Sequence, residues 1–123
     1  MSKGTILVVE DEAIEGLEVQ EYLKSLGYEV PEIVQSGDRV CDSVLRHKPN
    51  LIIMDIRLKS FMDGIDAVRR LEMVCRTPVI YLTAYQNRET MEKAMATNPV
   101  AYLLKPFKDW ELRESIETAL GKN

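Results

Sequence analysis

Five short apolar runs constrain the fold of this chain more than any other feature. They occupy residues 5–9, 29–34, 51–54, 79–82 and 100–104, and their starts are roughly 25 residues apart, which leaves room for a loop, a helix and a second loop between runs. The first, third and fourth runs are continuously apolar and rich in Val or Ile, a pattern typical of parallel strands covered on both faces. The second contains Pro31 and alternates with acids, which predicts an edge strand.

Helical signals fill the segments between the runs. In residues 13–26, Val19, Leu23 and Leu26 share one face with Gly16, and Gly27 suits the C-terminal end of that helix. Ile14 and Leu17 lie off this face, where we expect them to meet a neighbouring helix. Further apolar stripes at helical spacing fall within Val40–Leu45, Ile65–Leu71, Met91–Met95 and Leu112–Leu120.

The alternation of five strands with five helices predicts an α/β fold, (βα)₅, with a doubly wound parallel five-stranded sheet and helices on both faces. The fourth helix has the thinnest apolar stripe, so we expect it to be the least firmly held. We expect Asp109 to be the N-cap of the fifth helix, and Trp110 to pack against the body of the domain.

Length and composition set the class of protein. A chain of 123 residues fits one domain spanning 1–123, with no output domain expected. Its net charge of −4 and the lack of a basic run argue against nucleic-acid binding. No signal peptide or membrane-length apolar stretch is found, which favours a cytoplasmic protein without a membrane partner. Cys41 and Cys75 lack metal-ligand spacing, and we interpret both as packing residues in a reducing compartment.

Polar side chains follow four of the apolar runs at the point where each run ends. Glu10 and Asp11 follow the first run, Asp55 the third, Thr83 the fourth and Lys105 the fifth. The carboxyl ends of parallel strands share one edge of a sheet, where open α/β sheets hold their sites. Any one of these residues alone would more often be a cap, a loop hydroxyl or a surface lysine. Their joint placement predicts a functional site.

The residue types indicate the chemistry of that site. Three neighbouring carboxylates, from Glu10, Asp11 and Asp55, repel one another unless a hard cation neutralises them, which predicts Mg²⁺ or Mn²⁺. Asp55 is then placed to be a nucleophile toward a phosphoryl group. Lys105 would supply a second positive charge, and Thr83 a hydrogen bond to a phosphoryl oxygen.

The chain resembles a response-regulator receiver domain of two-component signal transduction. The resemblance covers essentially the whole chain and lies in five motifs, Val9–Glu12, Met54–Leu58, Met62–Gly64, Leu82–Ala84 and Tyr102–Phe107. As a set the motifs are specific, although each alone is weak. The fold implied is the flavodoxin-like receiver fold, and the activity implied is that of a switch rather than an enzyme with turnover.

The resemblance implies a role for each matching residue. Asp55 would be the phosphoacceptor, and Asp11 and Asp55 would bind the metal with the backbone carbonyl of Arg57. Glu10 would act at the metal through water. The family more often has Asp at the position of Glu10, which puts the metal affinity in question.

The remaining motif residues would serve the switch. Thr83 would be the switch hydroxyl and Lys105 a contact to the phosphate. Tyr102 would be the switch aromatic, changing rotamer as Thr83 moves. The peptide bond before Pro106 is expected to be cis.

The loop 58–64 departs from the family pattern. It is longer by about two residues than the common loop of the family, which should reshape the rim beside Asp55. Phe61 within it is either an exposed partner contact or a residue packed inward, and the sequence does not decide between the two. His47, the only histidine, is expected to be a surface residue far from the cluster.

The implied partners are a sensor histidine kinase or a phosphotransfer protein, together with an unknown downstream target or output domain. Phosphorylation would switch a surface formed by the fourth helix, fifth strand and fifth helix. Whether the phosphorylated form is a homodimer is left open. The main alternative is a degenerate receiver that binds partners without phosphorylation. A phosphatase with an aspartyl-phosphate intermediate is disfavoured because Arg57 stands where its second acid belongs. A flavin-binding module is disfavoured because Glu10 to Glu12 would repel phosphate.

Overall fold

A computed structural model of the protein describes residues 2–121. Its five strands form one parallel sheet in the order β2-β1-β3-β4-β5. The strands are β1 (Ile6–Val9), β2 (Ile33–Val34), β3 (Leu51–Met54), β4 (Val79–Thr83) and β5 (Ala101–Leu104). The α-helices are α1 (Ala13–Ser25), α2 (Val40–His47), α3 (Gly64–Glu72), α4 (Arg88–Met95) and α5 (Asp109–Ala119). The predicted (βα)₅ fold is therefore confirmed.

The second apolar run forms a shorter strand than its six residues predict. Only Ile33 and Val34 pair with β1 as a ladder, and Thr5 and Glu29 form an isolated bridge upstream. Pro31 between them has no N–H to donate. The run is an edge strand, as predicted, but a short one.

Hydrophobic cores cover both faces of the sheet. Side chains alternate along a strand, so Leu7 and Val9 face one core while Ile6 and Val8 face the other. The first core includes residues of α2, α3 and α4, and the second includes residues of α1 and α5. Continuous apolar strands are needed here because each face is buried under helices.

The helix ends follow local chemistry. Gly27 lies just beyond α1 with φ +100°, a conformation that glycine adopts without the steric cost of a Cβ. Asp63 caps α3: its side chain accepts from Asp66 N at 2.8 Å, and the Asp66 side chain accepts from Asp63 N at 3.4 Å. The start of α3 is therefore defined by two reciprocal hydrogen bonds.

Three sequence predictions about packing and capping are wrong. Lys108, not Asp109, occupies the N-cap of α5, and Asp109 is its first helical residue, where an acid suits the helix dipole. The Trp110 side chain is 54% exposed rather than packed. Ile14 and Leu17 are also largely exposed on α1, because α1 packs on the sheet through the opposite stripe.

The two cysteines and the histidine lie away from the carboxyl ends of the strands. Cys41 and Cys75 are free, half-buried and packed against the core shared by α2 and α3, as the packing interpretation predicts. His47 lies at the end of α2, where Nε2 is 3.0 Å from Glu32 Oε2. Within residues 2–121, no helix combines the length and the apolar character required to cross a bilayer.

Candidate functional site

A cleft of about 420 Å³ lies over the carboxyl ends of the strands. Asp11, Asp55, Thr83 and Lys105 all line it, and each follows or ends a different strand. The parallel arrangement of β1, β3, β4 and β5 is what brings these residues together from four distant parts of the chain. This is the edge at which the sequence predicts a site.

Three carboxylates cluster at the cleft, which Asp11 and Asp55 line directly. Glu10, Asp11 and Asp55 each offer an oxygen atom, and these atoms all lie within 4.8 Å of one another. Glu10 and Asp55 are buried and Asp11 is half-buried. Buried anions this close repel unless cations compensate them, and carboxylate oxygens are the ligands that Mg²⁺ prefers. The donor set therefore fits a hard divalent cation.

Backbone amides hold the three carboxylates in place. Glu10 Oε2 accepts from Glu12 N at 3.0 Å, and Asp55 Oδ1 accepts from Arg57 N at 3.2 Å. Asp11 Oδ2 accepts from Lys59 N at 2.7 Å, which joins the loop before α1 to the loop after β3. Arg57 itself lines the cleft.

Lys105 is the half-buried cation that compensates the acids. Its Nζ donates to Glu10 Oε1 at 2.6 Å and to Asp55 Oδ2 at 3.0 Å. Burial acts to lower the pKa of Lys105, but the hydrogen bonds to its carboxylate partners outweigh it and raise the pKa above its ordinary value. Lys105 is therefore charged in the site at any ordinary pH.

Glu15 is a member of the site that the sequence interpretation missed. Its Oε1 lies 2.6 Å from Lys105 Nζ, and it lines the cleft from the first turn of α1. The available signal was its position in the first turn of α1, directly after the acidic segment 10–12. An acid in the first turn of a helix has an ordinary explanation in the helix dipole, which conceals a second role.

Thr83 and Tyr102 are connected through one loop residue. Thr83 is fully buried, and its Oγ1 lies 3.5 Å from Tyr85 N. The Tyr102 hydroxyl donates to the Tyr85 carbonyl oxygen at 2.8 Å. Both side chains therefore contact the segment between β4 and α4, although Tyr102 does not line the cleft.

The segment after Lys105 continues along the edge of the site. The Lys105–Pro106 peptide bond is cis. Pro106 lines a neighbouring groove with Glu18 of α1, Phe107 and Asp109, and the Phe107 ring lies 5.9 Å from the ring of Tyr22.

The long loop 58–64 is packed at its ends and exposed in its middle. Leu58 is buried, and Ser60 Oγ accepts from Gly37 N at 3.1 Å. Phe61 is 99% exposed, so it does not pack inward, and its contact with a partner stays a prediction. Gly64 ends the loop so close to the Asp55 carbonyl oxygen that a Cβ there would overlap it.

A model of the response regulator receiver domain family matches residues 6–117. The transcriptional regulatory protein PdtaR of Mycobacterium tuberculosis is 34% identical over 117 residues, which are 95% of this chain and 57% of that protein. The transcriptional regulatory protein ZraR of Escherichia coli is 32% identical over 94% of this chain and 26% of its own length. The chain thus spans about half or less of these relatives.

Solved structures agree with this match. The receiver domain of a modulated diguanylate cyclase from Desulfovibrio desulfuricans has a TM-score of 0.89 at 33% identity, covering 97% of this chain and 94% of that chain. The BeF₃-activated receiver domain of Klebsiella pneumoniae RstA has a TM-score of 0.87 at 26% identity, covering 94% and 97%. The chain belongs to the response regulator receiver domain family of two-component signal transduction.

Proposed function

We propose that the protein is a phosphoacceptor switch in which Asp55 receives the phosphoryl group. The observation that carries this proposal is the contact of one half-buried ammonium, Lys105 Nζ, with Asp55 Oδ2 within the cluster of three carboxylates. Such a cluster with its own cation suits a reaction that brings more negative charge to Asp55. The metal-binding residues would be Glu10, Asp11 and Asp55 with the backbone carbonyl of Arg57.

The reaction would transfer a phosphoryl group from the donor to the Asp55 carboxylate. A carboxylate oxygen of Asp55 forms a bond to phosphorus while the bond from phosphorus to the donor, a histidine nitrogen or a small acyl phosphate, breaks. Lys105 remains charged and can donate a hydrogen bond to a phosphoryl oxygen. A bound Mg²⁺ or Mn²⁺ would supply positive charge toward the phosphoryl oxygens.

Thr83 and Tyr102 supply the link from the site to the surface. Thr83 lies at the end of β4 beside the cleft, where its hydroxyl can donate to a phosphoryl oxygen. A shift of Thr83 would change the position of the Tyr85 backbone, whose carbonyl oxygen holds the Tyr102 hydroxyl. Phosphorylation would in this way favour one of two pre-existing arrangements of the surface of α4, β5 and α5.

The signalling context follows from the family. The donor is a sensor histidine kinase or a phosphotransfer protein in the cytoplasm, and the target is an output domain or a separate protein. Lys59 of loop 58–64 lines the cleft, and Phe61, two residues further on, is exposed, so this loop suits contact with the donor. The protein switches rather than turns over a substrate, although it assists its own phosphorylation.

The proposal is tested by intact mass after incubation with acetyl phosphate and Mg²⁺. We expect one phosphate-sized gain that requires Mg²⁺, is abolished by EDTA and is absent in Asp55→Asn. Asp63→Asn is a matched control, because Asp63 is a helix cap outside the carboxylate cluster, and it should still gain the phosphate. A parent protein that gains nothing and also fails to bind beryllofluoride would indicate the degenerate, phosphorylation-independent receiver instead.

A further inference from the structure

We propose that Glu15 is a positioning residue that competes with the phosphoryl group for Lys105. By holding Lys105 it stabilises the unphosphorylated form and weakens the binding of phosphoryl oxygens at Asp55. The inference rests on the proposed function of Asp55, which it deepens.

The first step is the hydrogen-bonding capacity of Lys105. An ammonium group has three hydrogens to donate, and Lys105 Nζ has three carboxylate acceptors. These are Glu10 Oε1 at 2.6 Å, Glu15 Oε1 at 2.6 Å and Asp55 Oδ2 at 3.0 Å. No hydrogen is left over for a phosphoryl oxygen, so an incoming phosphoryl group must displace one of the three acceptors.

The second step is to identify the acceptor that leaves most easily. The side chains of Glu10 and Asp55 are only 5% and 7% exposed, whereas that of Glu15 is 45% exposed. Glu10 without its cation would remain a buried, uncompensated carboxylate, which is costly, and Asp55 stays next to Lys105 because it carries the phosphoryl group itself. Glu15 can turn into water instead, where an ion pair contributes little. The Glu15–Lys105 pair is therefore the bond that phosphorylation replaces.

The third step is the charge of Glu15. Both Glu15 and a phosphoryl group on Asp55 would lie against the same ammonium, so their negative charges repel each other at short range. Replacing Glu15 by Gln keeps the shape and an acceptor oxygen but removes the charge. The neutral hydrogen bond is also weaker than the charge-assisted one. Glu15→Gln should therefore release Lys105 to the phosphoryl group.

The test is a calorimetric titration with beryllofluoride, used as a phosphoryl mimic, at saturating Mg²⁺. We expect Glu15→Gln to bind it two- to five-fold more tightly than the parent, the factor that corresponds to about 0.5–1 kcal/mol for a partly exposed ion pair. Glu15→Ala, which removes the carboxylate altogether, should bind at least as tightly as the parent. A gain in affinity is not the result of a damaged fold.

Glu18→Gln is the matched control. Glu18 lies one turn further along α1, is exposed, and lines the neighbouring groove instead of the cleft, so this variant makes the same change in net charge without touching Lys105. Equal affinities for Glu15→Gln and Glu18→Gln would overturn the inference, as would weaker binding by Glu15→Gln. A parent that binds no more beryllofluoride than Asp55→Asn would instead overturn the proposed function.

Discussion

Glu10 is a buried carboxylate, and its burial disfavours the charged form. Burial, together with the neighbouring charge of Asp55, raises the pKa of Glu10 from 4.5 to about 7, although hydrogen bonds from Lys105 and the Glu12 amide act to lower it. In the absence of a metal, Glu10 is therefore protonated in the folded protein between pH 4.5 and about 7. In the unfolded chain Glu10 has already lost this proton in the same pH range. The metal-free fold is destabilised by Glu10 as the pH rises through this window.

This predicts a pH-dependent effect of Glu10→Gln. In EDTA, we expect the stability of the variant relative to the parent to increase from pH 5 to pH 7 by at most about 1.4 kcal/mol per pH unit, and to flatten above pH 7. Urea unfolding at pH 5, 6, 7 and 8 measures this difference. Glu12→Gln, at the exposed neighbouring position, is the control that removes the same charge outside the buried cluster. A difference in unfolding free energy between Glu10→Gln and the parent that stays constant from pH 5 to pH 8 would refute the raised pKa of Glu10.

Helix α4 is fixed mainly at its C-terminal end. Ala94 is its one buried residue among those that the structure describes, and the residue Thr97 follows the helix. Thr97 Oγ1 donates to the Ala94 carbonyl oxygen at 2.7 Å and lies 2.8 Å from the Tyr81 hydroxyl. Since the single hydroxyl hydrogen of Thr97 goes to Ala94, the Tyr81 hydroxyl is the donor between the two. This bond joins α4 to the centre of β4.

The Tyr81–Thr97 bond gives a prediction about stability. Thr97→Val leaves the fully buried Tyr81 hydroxyl without an acceptor, so we expect it to cost about 1–3 kcal/mol of unfolding free energy. Combining it with Tyr81→Phe should cost less than the sum of the two single changes, because both partners are then apolar. Denaturant unfolding of the four proteins completes the cycle. Additive costs would show that the bond contributes nothing.

The molecule as a whole has an uneven distribution of burial. Strands β1, β3 and β4 are buried along their entire lengths between the two cores. In contrast, β5 at the edge of the sheet is only partly covered, and α4 beside it buries one residue. Two elements of the surface proposed to respond to phosphorylation, α4 and β5, thus have little apolar burial, which lowers the cost of alternative arrangements there.

Hydrogen exchange of the whole protein tests this distribution. We expect amides of β1, β3 and β4 to exchange slowest, at the rate of global unfolding, and amides in the first turns of α4 to exchange faster by orders of magnitude. Within α4, protection should increase toward Ala94, which lies next to the Tyr81–Thr97 bond. Uniform protection across β4 and α4 would mean that both unfold as one unit and that this surface has no separate mobility.

The sequence by itself determined the fold class, the order of the elements and the residues at the strand ends. Periodicity is a local property, so runs such as 51–54 and 79–82 could be assigned as buried strands, and parallel strands require their ends to share an edge. Asp11, Asp55, Thr83 and Lys105 were found in this way, without any knowledge of contacts.

Only the tertiary structure decided which side chains cover one another. The exposure of Trp110 and Phe61 depends on what lies over them, and apolar character alone does not specify a partner. Likewise, Glu15 looked like an ordinary first-turn acid until Lys105, 90 positions later, was placed beside it. Contacts between distant residues and the pKa of Glu10 arise from packing in three dimensions, which a local pattern does not encode.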